Sequence, residues 1–204
     1  NNKVDISLGN WEIETAKGVF RPKMLTLQAL TDPDTTRVSF HAGDLGIVLT
    51  GNACIHELTD KLTLISDDIT RQFNQDSMVN LNLLRPLLPE MHLKVAAGQD
   101  NPIYNYLQNY YIDFEDLTLN AYTSPTDGMR MEASVYQLAR DTMLLDTIRA
   151  EIYQDTLGLL YNAQVIKNRF RKQKPFFAGL EGAFRHGYGD ARLSLKDGKG
   201  TTGL

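Results

Sequence analysis

The sequence predicts a mostly β, antiparallel fold of about ten to twelve strands, with a helical insert near residues 53–88 and a short helix near 102–110. Three observations carry this reading. Apolar residues recur at every second position in run after run, which places them on one face of a sheet. Short spacers rich in Gly, Pro, Asn and Asp separate the runs. In one stretch only, the apolar period lengthens to three and four, the spacing of a helix face. The 204 residues read as one β-rich segment, 1–204, carrying its helical insert.

The alternation begins at Val4, Ile6, Leu8 and returns at Trp11, Ile13. It continues through Leu25, Leu27, Ala29; Val38, Phe40, Ala42; and Leu45, Ile47, Leu49. Gly9-Asn10 and Asp32-Pro33-Asp34 supply turns, because glycine adopts positive φ freely and proline fixes φ. Between Ala53 and Leu88 the stripe Leu58, Leu62, Ile65, Ile69, Phe73 defines one amphipathic helix. A second helical piece holds Met78, Val79, Leu81, Leu83, Leu84, Leu87 and Leu88. Pro86 is expected to kink or restart it, since proline lacks the N–H and clashes with the preceding turn.

Alternation resumes at Leu93, Val95, Ala97. Asp100-Asn101-Pro102 then reads as a capped helix start with proline in the first turn. Five further runs follow: Leu117, Leu119, Ala121; Met129, Met131, Ala133, Val135; Ile148, Ala150, Ile152; Tyr161, Ala163, Val165; and Phe176, Ala178, Leu180. Another is expected at Ala191, Leu193, Leu195. Ser124-Pro125-Thr126-Asp127-Gly128 is the clearest hairpin loop, and the short spacing makes neighbours antiparallel.

Such a sheet creates a covering problem. Twelve strands at ~4.8 Å spacing span over ~50 Å, and large bare apolar faces are rare without a purpose. The sheet can fold into a sandwich or close as a barrel, it can be covered by the helices, whose roughly 35 residues reach only part of it, or it can curl into a gutter whose lining meets acyl chains. Base rate puts the sandwich first, and pattern alone leaves all three open.

The remaining features exclude more than they suggest. No 18-residue apolar run is present, so no membrane-spanning helix is expected. Cys54 is alone and reads as a small buried apolar residue. The net charge of −4 hides an asymmetry, with nine Lys/Arg against three Asp/Glu in residues 160–204. The basic run Lys167–Lys174 holds only Phe170 among its charges, so it reads as a solvated turn and not as a nucleic-acid site. There is no H-E-x-x-H, G-x-S-x-G or Walker A motif. His41, His56, His92 and His186 are scattered, and Gly198, Gly200 and Gly203 lack the strand-to-helix context of a dinucleotide loop. Asp113, Glu115 and Asp116 read as solvent-facing residues, and Tyr104, Tyr106, Tyr110 and Tyr111 as packing aromatics with a sugar platform as the rival. No enzyme, no cofactor and no metal are expected. The start at Asn1-Asn2-Lys3 and the end at Gly203-Leu204 read as those of an internal piece, with any targeting signal or anchor outside it.

Three stretches resemble the TamB (translocation and assembly module) branch of the AsmA-like envelope proteins. They are His41–Gly51 leading into the helix; Leu88–Met91 with Ala97–Leu107; and Asn120–Pro125 with Leu144–Ile148. The resemblance implies a curled open sheet, a β-taco-like gutter, lying in the periplasm within a parent anchored in the inner membrane. It implies phospholipid acyl chains as the cargo, a role in phospholipid transport and outer-membrane biogenesis, and an outer-membrane assembly partner for the full-length protein. The groove lining would then be Leu117, Leu119, Ala121, Met131, Ala133, Val135, Ile148, Ala150 and Ile152. Against the family plan, the anchor is expected to lie outside this segment and no stretch is identified as the characteristic C-terminal domain, and its helical insert is expected to plug or cap the groove. A sealed adhesive sandwich and a carbohydrate-binding module stand as the rival readings.

Overall fold

The computed structural model describes residues 2–9, 12–15, 18–21, 24–76, 79–168, 174–185 and 188–198. Asn10, Trp11, Met78, the core of the basic run at 169–173, His186, Gly200 and Gly203 lie outside the described residues.

One open, curled, twelve-stranded antiparallel sheet dominates. Its strands are β1 (Asn2–Gly9), β4 (Met24–Thr31), β5 (Thr36–Ala42), β6 (Leu45–Gly51), β7 (Met91–Ala97), β9 (Asp116–Ser124), β10 (Gly128–Arg140), β11 (Met143–Gln154), β12 (Gly158–Lys167), β13 (Phe176–Arg185) and β14 (Tyr188–Asp197), in that spatial order. A two-residue strand, β8 (Ile112–Asp113), extends the line of β9 along β10. The order is a meander, each strand pairing with the next. Only a small separate hairpin, β2 (Ile13–Thr15) with β3 (Gly18–Phe20), and the helices interrupt it. Among the described residues β1 pairs only with β4 and β14 only with β13, so the sheet does not close.

The sandwich favoured by base rate therefore does not form. Among the described residues no second layer of comparable size faces the sheet. The consequence shows in the surface: 13085 Å² is accessible, against about 9,600 Å² for a compact monomer of this mass.

The helical insert holds α1 (Ile55–Asp76), α2 (Leu81–Leu84) and a 3₁₀ turn at Arg85–Leu87. Pro86 sits in the first turn of that 3₁₀ segment, where its missing N–H costs nothing. The second helix is thus shorter than the apolar run suggests. The outward side of α1 sustains itself locally. Glu57 pairs with Lys61 at 2.8 Å, and Thr59 and Thr63 donate to carbonyls four residues back.

The short helix α3 (Pro102–Gln108) caps the opposite end of the strands, and one residue ties it down. Asn101 is 0% exposed. Its Oδ1 accepts from the Tyr104 N–H at 2.9 Å as the helix cap, and its Nδ2 donates to Asp44 Oδ1 at 2.7 Å and the Gly98 carbonyl at 2.9 Å. The Asp100 N–H donates to the other Asp44 oxygen at 2.9 Å. Gly43 lies beneath this knot with φ +65°, and a Cβ there would stand 1.7 Å from the Asp100 carbonyl oxygen. The knot seats Tyr104 and Leu107 on Phe114, which packs with Leu45 and Ala97 in the one tight apolar cluster found among the described residues.

Two corrections belong to local chemistry. Lys167, at the head of the basic run, is buried and donates to the Leu144 carbonyl at 2.6 Å, so it is no solvated charge. Cys54 is only half-buried.

Removing both arms of the Asn101 knot in Asn101→Ala should lower stability by about 1–3 kcal/mol, read by urea denaturation. Asp44 adds a pH dependence. Burial pushes its carboxyl up, but the hydrogen bonds from Asn101 and from the backbone at Asp100, Gly98 and Gln99 outweigh that and hold it below its ordinary 3.8. Its stabilisation is therefore present at neutral pH and lost as pH falls through the lowered value. Wild type should exceed Asp44→Asn in stability at pH 7, and the gap should close in acid; a gap independent of pH would remove this account.

Candidate functional site: an open apolar face and a trough beneath α1

Cross-strand register sorts the side chains into rows, because partners directly opposite share a face. One row runs Ile6, Leu27, Phe40, Ile47, Val95, Leu119, Ala133, Ala150, Ala163, Leu180, Leu193 across all eleven long strands. A second passes from Val4 and Ala29 through Leu49, Leu93, Ala121, Met131 and Ile152 to Tyr161 and Ala191. A third holds Leu8, Leu25 and Ala42 on one side and Leu117, Val135, Ile148, Val165, Ala178 and Leu195 on the other. Leu45 and Ala97 pack together between those halves. None of these positions carries a charge.

The opposite face is polar. One of its rows reads Lys94, Asn120, Glu132, Glu151, Asn162, Glu181, Arg192. Arg130 lies within 2.7 Å of Glu132 and 3.3 Å of Glu151, holding two adjacent carboxylates together. Thr118 and Ser134 share a hydrogen bond at 2.7 Å on this side.

All nine residues expected to line a groove lie on the apolar face, and all nine are half-buried. The pattern of alternation signals this directly. What it does not signal is where the face is covered. At one end α3, Tyr104 and Phe114 cover the row of Leu117 and Val135. At the other end α1 stands over β6, β7 and β9 without closing on them.

That gap is a trough of about 380 Å³. Leu62, Ile65 and Ile69 of α1 form one wall; Leu49, Leu93 and Ala121 form the floor; Leu84, Leu88 and Met91 bound one side. Of the nine expected residues only Ala121 reaches it. Thr123 and Gln154 are the polar residues at its lining, and both are already engaged. Thr123 Oγ1 donates to the Pro89 carbonyl at 2.7 Å, and Gln154 Nε2 donates to the Leu81 carbonyl at 2.8 Å.

Both ends of α1 are fixed, so it spans the sheet as a bridge. At its start, Thr36 Oγ1 donates to the Ala53 carbonyl at 2.8 Å and the Ile55 N–H donates to Thr31 Oγ1 at 3.1 Å. Leu58, 2% exposed, fills the notch left by Gly51, where a Cβ would lie 2.6 Å from a Leu58 methyl. At its far end Gln72 accepts from the Asn80 N–H at 2.6 Å. The segment that follows is laced to the hairpin turns. Asn82 donates to the Thr156 carbonyl at 3.2 Å, and Arg85 to the carbonyls of Thr126 and Asp155. Between these anchors the apolar stripe of α1 is left open, with Leu62 46% and Ile69 38% exposed.

The other candidate groups are engaged with neighbours. Asp113 accepts from the Tyr104 hydroxyl at 2.7 Å; burial first, and then that bond, push the tyrosine up to about 12. Glu115 accepts from Gln137. His56 sits 3.5 Å from Asp60 on α1, and His92 packs edge-on against Tyr122. Among the described residues no three His, Cys, Asp or Glu converge as metal ligands would. Tyr106, Tyr110 and Tyr111 are exposed, unlike Tyr104. The Tyr106 and Tyr110 rings meet at 60°, not as one flat platform for a sugar. Among the described residues no helix is long and apolar enough to cross a membrane.

In comparisons with known proteins, no family model, no curated protein and no solved structure matches the chain.

The Gly51 notch should govern where α1 sits. Gly51→Val drives Leu58 out, so trypsin should cut at Lys61 and Arg71 at least several-fold faster, while cleavage at Arg130 and Arg149 in the sheet keeps its rate. Equal acceleration at all four sites would mean that the sheet, and not the bridge, depends on this contact.

Proposed function

We propose that this chain is a lipid-handling segment of the TamB branch of the AsmA-like envelope proteins, shielding phospholipid acyl chains along its apolar face. In this reading it lies in the periplasm, in a parent anchored in the inner membrane, and supports phospholipid movement toward the outer membrane. An outer-membrane assembly partner belongs to the full-length protein.

The observation that carries the reading is the set of three apolar rows, uncharged across eleven strands and left open by the fold. A face of this kind suits hydrocarbon chains, because hydrophobic contact is non-directional and one position is worth nearly as much as the next. Sliding along it breaks no hydrogen bond. A charge placed in a row would interrupt it by its desolvation cost. The polar opposite face suits an aqueous compartment. The sequence stretches named above supply the family, and the open sheet supports the same plan.

The test is site-specific photo-crosslinking in the full-length parent, with the probe at Leu119 on the apolar face and at Thr118 on the polar face. Lipid adducts are expected at Leu119 and not at Thr118. In parallel, Leu119→Arg should reduce transport severalfold while Thr118→Arg leaves it near wild type. Protein adducts at Leu119, or equal loss from both substitutions, would overturn the lipid reading in favour of a protein-docking face.

A further inference from the structure

The trough under α1 differs in kind from the rest of the apolar face, because it has a second wall. We infer that it is a discrete site for a single acyl chain, clamped between the helix stripe and the sheet; this deepens, and rests on, the lipid reading above.

The walls are aliphatic on both sides, from Leu62, Ile65 and Ile69 above to Leu49, Leu93 and Ala121 below. The polar residues at the lining spend hydrogen bonds on Pro89 and Leu81. An occupant is therefore offered apolar contact and little else. An extended peptide fits badly, since its N–H and C=O groups need partners. The floor strands β6, β7 and β9 are each paired on both sides and have no edge to lend. Sugars and nucleotides fail for the same reason, their polar groups going unmatched. A hydrocarbon chain needs none of these things. The volume of about 380 Å³ lies within the range of small-ligand sites. Met91 and Met129 at the rim add side chains that adapt to a flexible occupant.

The helix points to the same occupant. A 22-residue amphipathic helix ordinarily buries its stripe. Here only the first member, Leu58, is fully buried, while hydrogen bonds at both ends keep the middle off the sheet. An acyl chain in the gap completes the burial of Leu62, Ile65 and Ile69 that the protein itself leaves unfinished.

The experiment uses contact quenching by 9,10-dibromostearate in a Trp11→Phe background. One tryptophan is placed at Ile65 in the trough, or at Leu193 on the open face. Saturable quenching with one-to-one stoichiometry is expected for Ile65→Trp and little for Leu193→Trp. Leu93→Arg should weaken the Ile65→Trp site at least tenfold; Ile69→Arg, on the exposed helix, serves if Leu93→Arg does not fold. Equal quenching at both positions would overturn the discrete site and leave the diffuse lipid face standing. Quenching at neither position would also overturn it; Leu119 lipid adducts in the parent would then show that only the trough has failed, and their absence that the lipid reading fails with it. A dimer that dibromostearate does not dissociate, seen by sedimentation, would assign the trough to a second copy of the chain and overturn the inference as well.

Discussion

The rest of this molecule depends on the antiparallel register of its eleven long strands, whose apolar rows run from β1 to β14 although the β10–β11 ladder skips Gln137 and Asp146. Side chains alternate with a period of two, so a one-residue slip at any strand would turn its apolar set to the wrong side. No slip occurs from β1 to β14. Ile6 and Leu193, at opposite edges, belong to the same row. The consequence is a large apolar face that the chain cannot bury by itself, because its sequence is spent on one layer.

The two helical elements answer that problem locally and differently. α3 is short and pinned at its first residue by the Asn101–Asp44 knot, so it presses Tyr104 and Leu107 onto Phe114 and makes a sealed cluster. α1 is long and pinned at both ends, so it bridges. Its first turn fits the Gly51 notch, its far end is held through Gln72, and nothing draws its middle down. One helix therefore makes core, and the other makes a cavity from the same kind of side chain.

Polar groups follow a matching division. On the apolar side they are few and engaged, as Thr123 and Gln154 show. On the other side charged and neutral polar residues share the rows, and Arg130 holds the adjacent Glu132 and Glu151 together. The proposed acyl-chain role draws on this division, since a face without unmatched polar groups asks nothing of a hydrocarbon but contact. Tyr104 pairs with Asp113, Glu115 with Gln137, and His56 with Asp60.

The sequence by itself determined the strands, their antiparallel order, the helical insert and the face on which Leu117 through Ile152 lie. All of these follow from local periodicity and turn chemistry, which nearby residues set. It also marked Asn101 as a helix cap. Only the tertiary structure decided that the sheet stays open instead of folding into a sandwich, because layer packing depends on curvature summed over many strands. It alone decided that α1 stands off the sheet, since that gap is set by anchors at Thr31, Thr36, Gly51 and Asn80 that are far apart in sequence. It buried Lys167 against the Leu144 carbonyl, a contact made by the meeting of β11 and β12 and invisible in a run of basic residues. Periodicity fixes which way a side chain points; how far away its partner sits is a property of the assembled sheet.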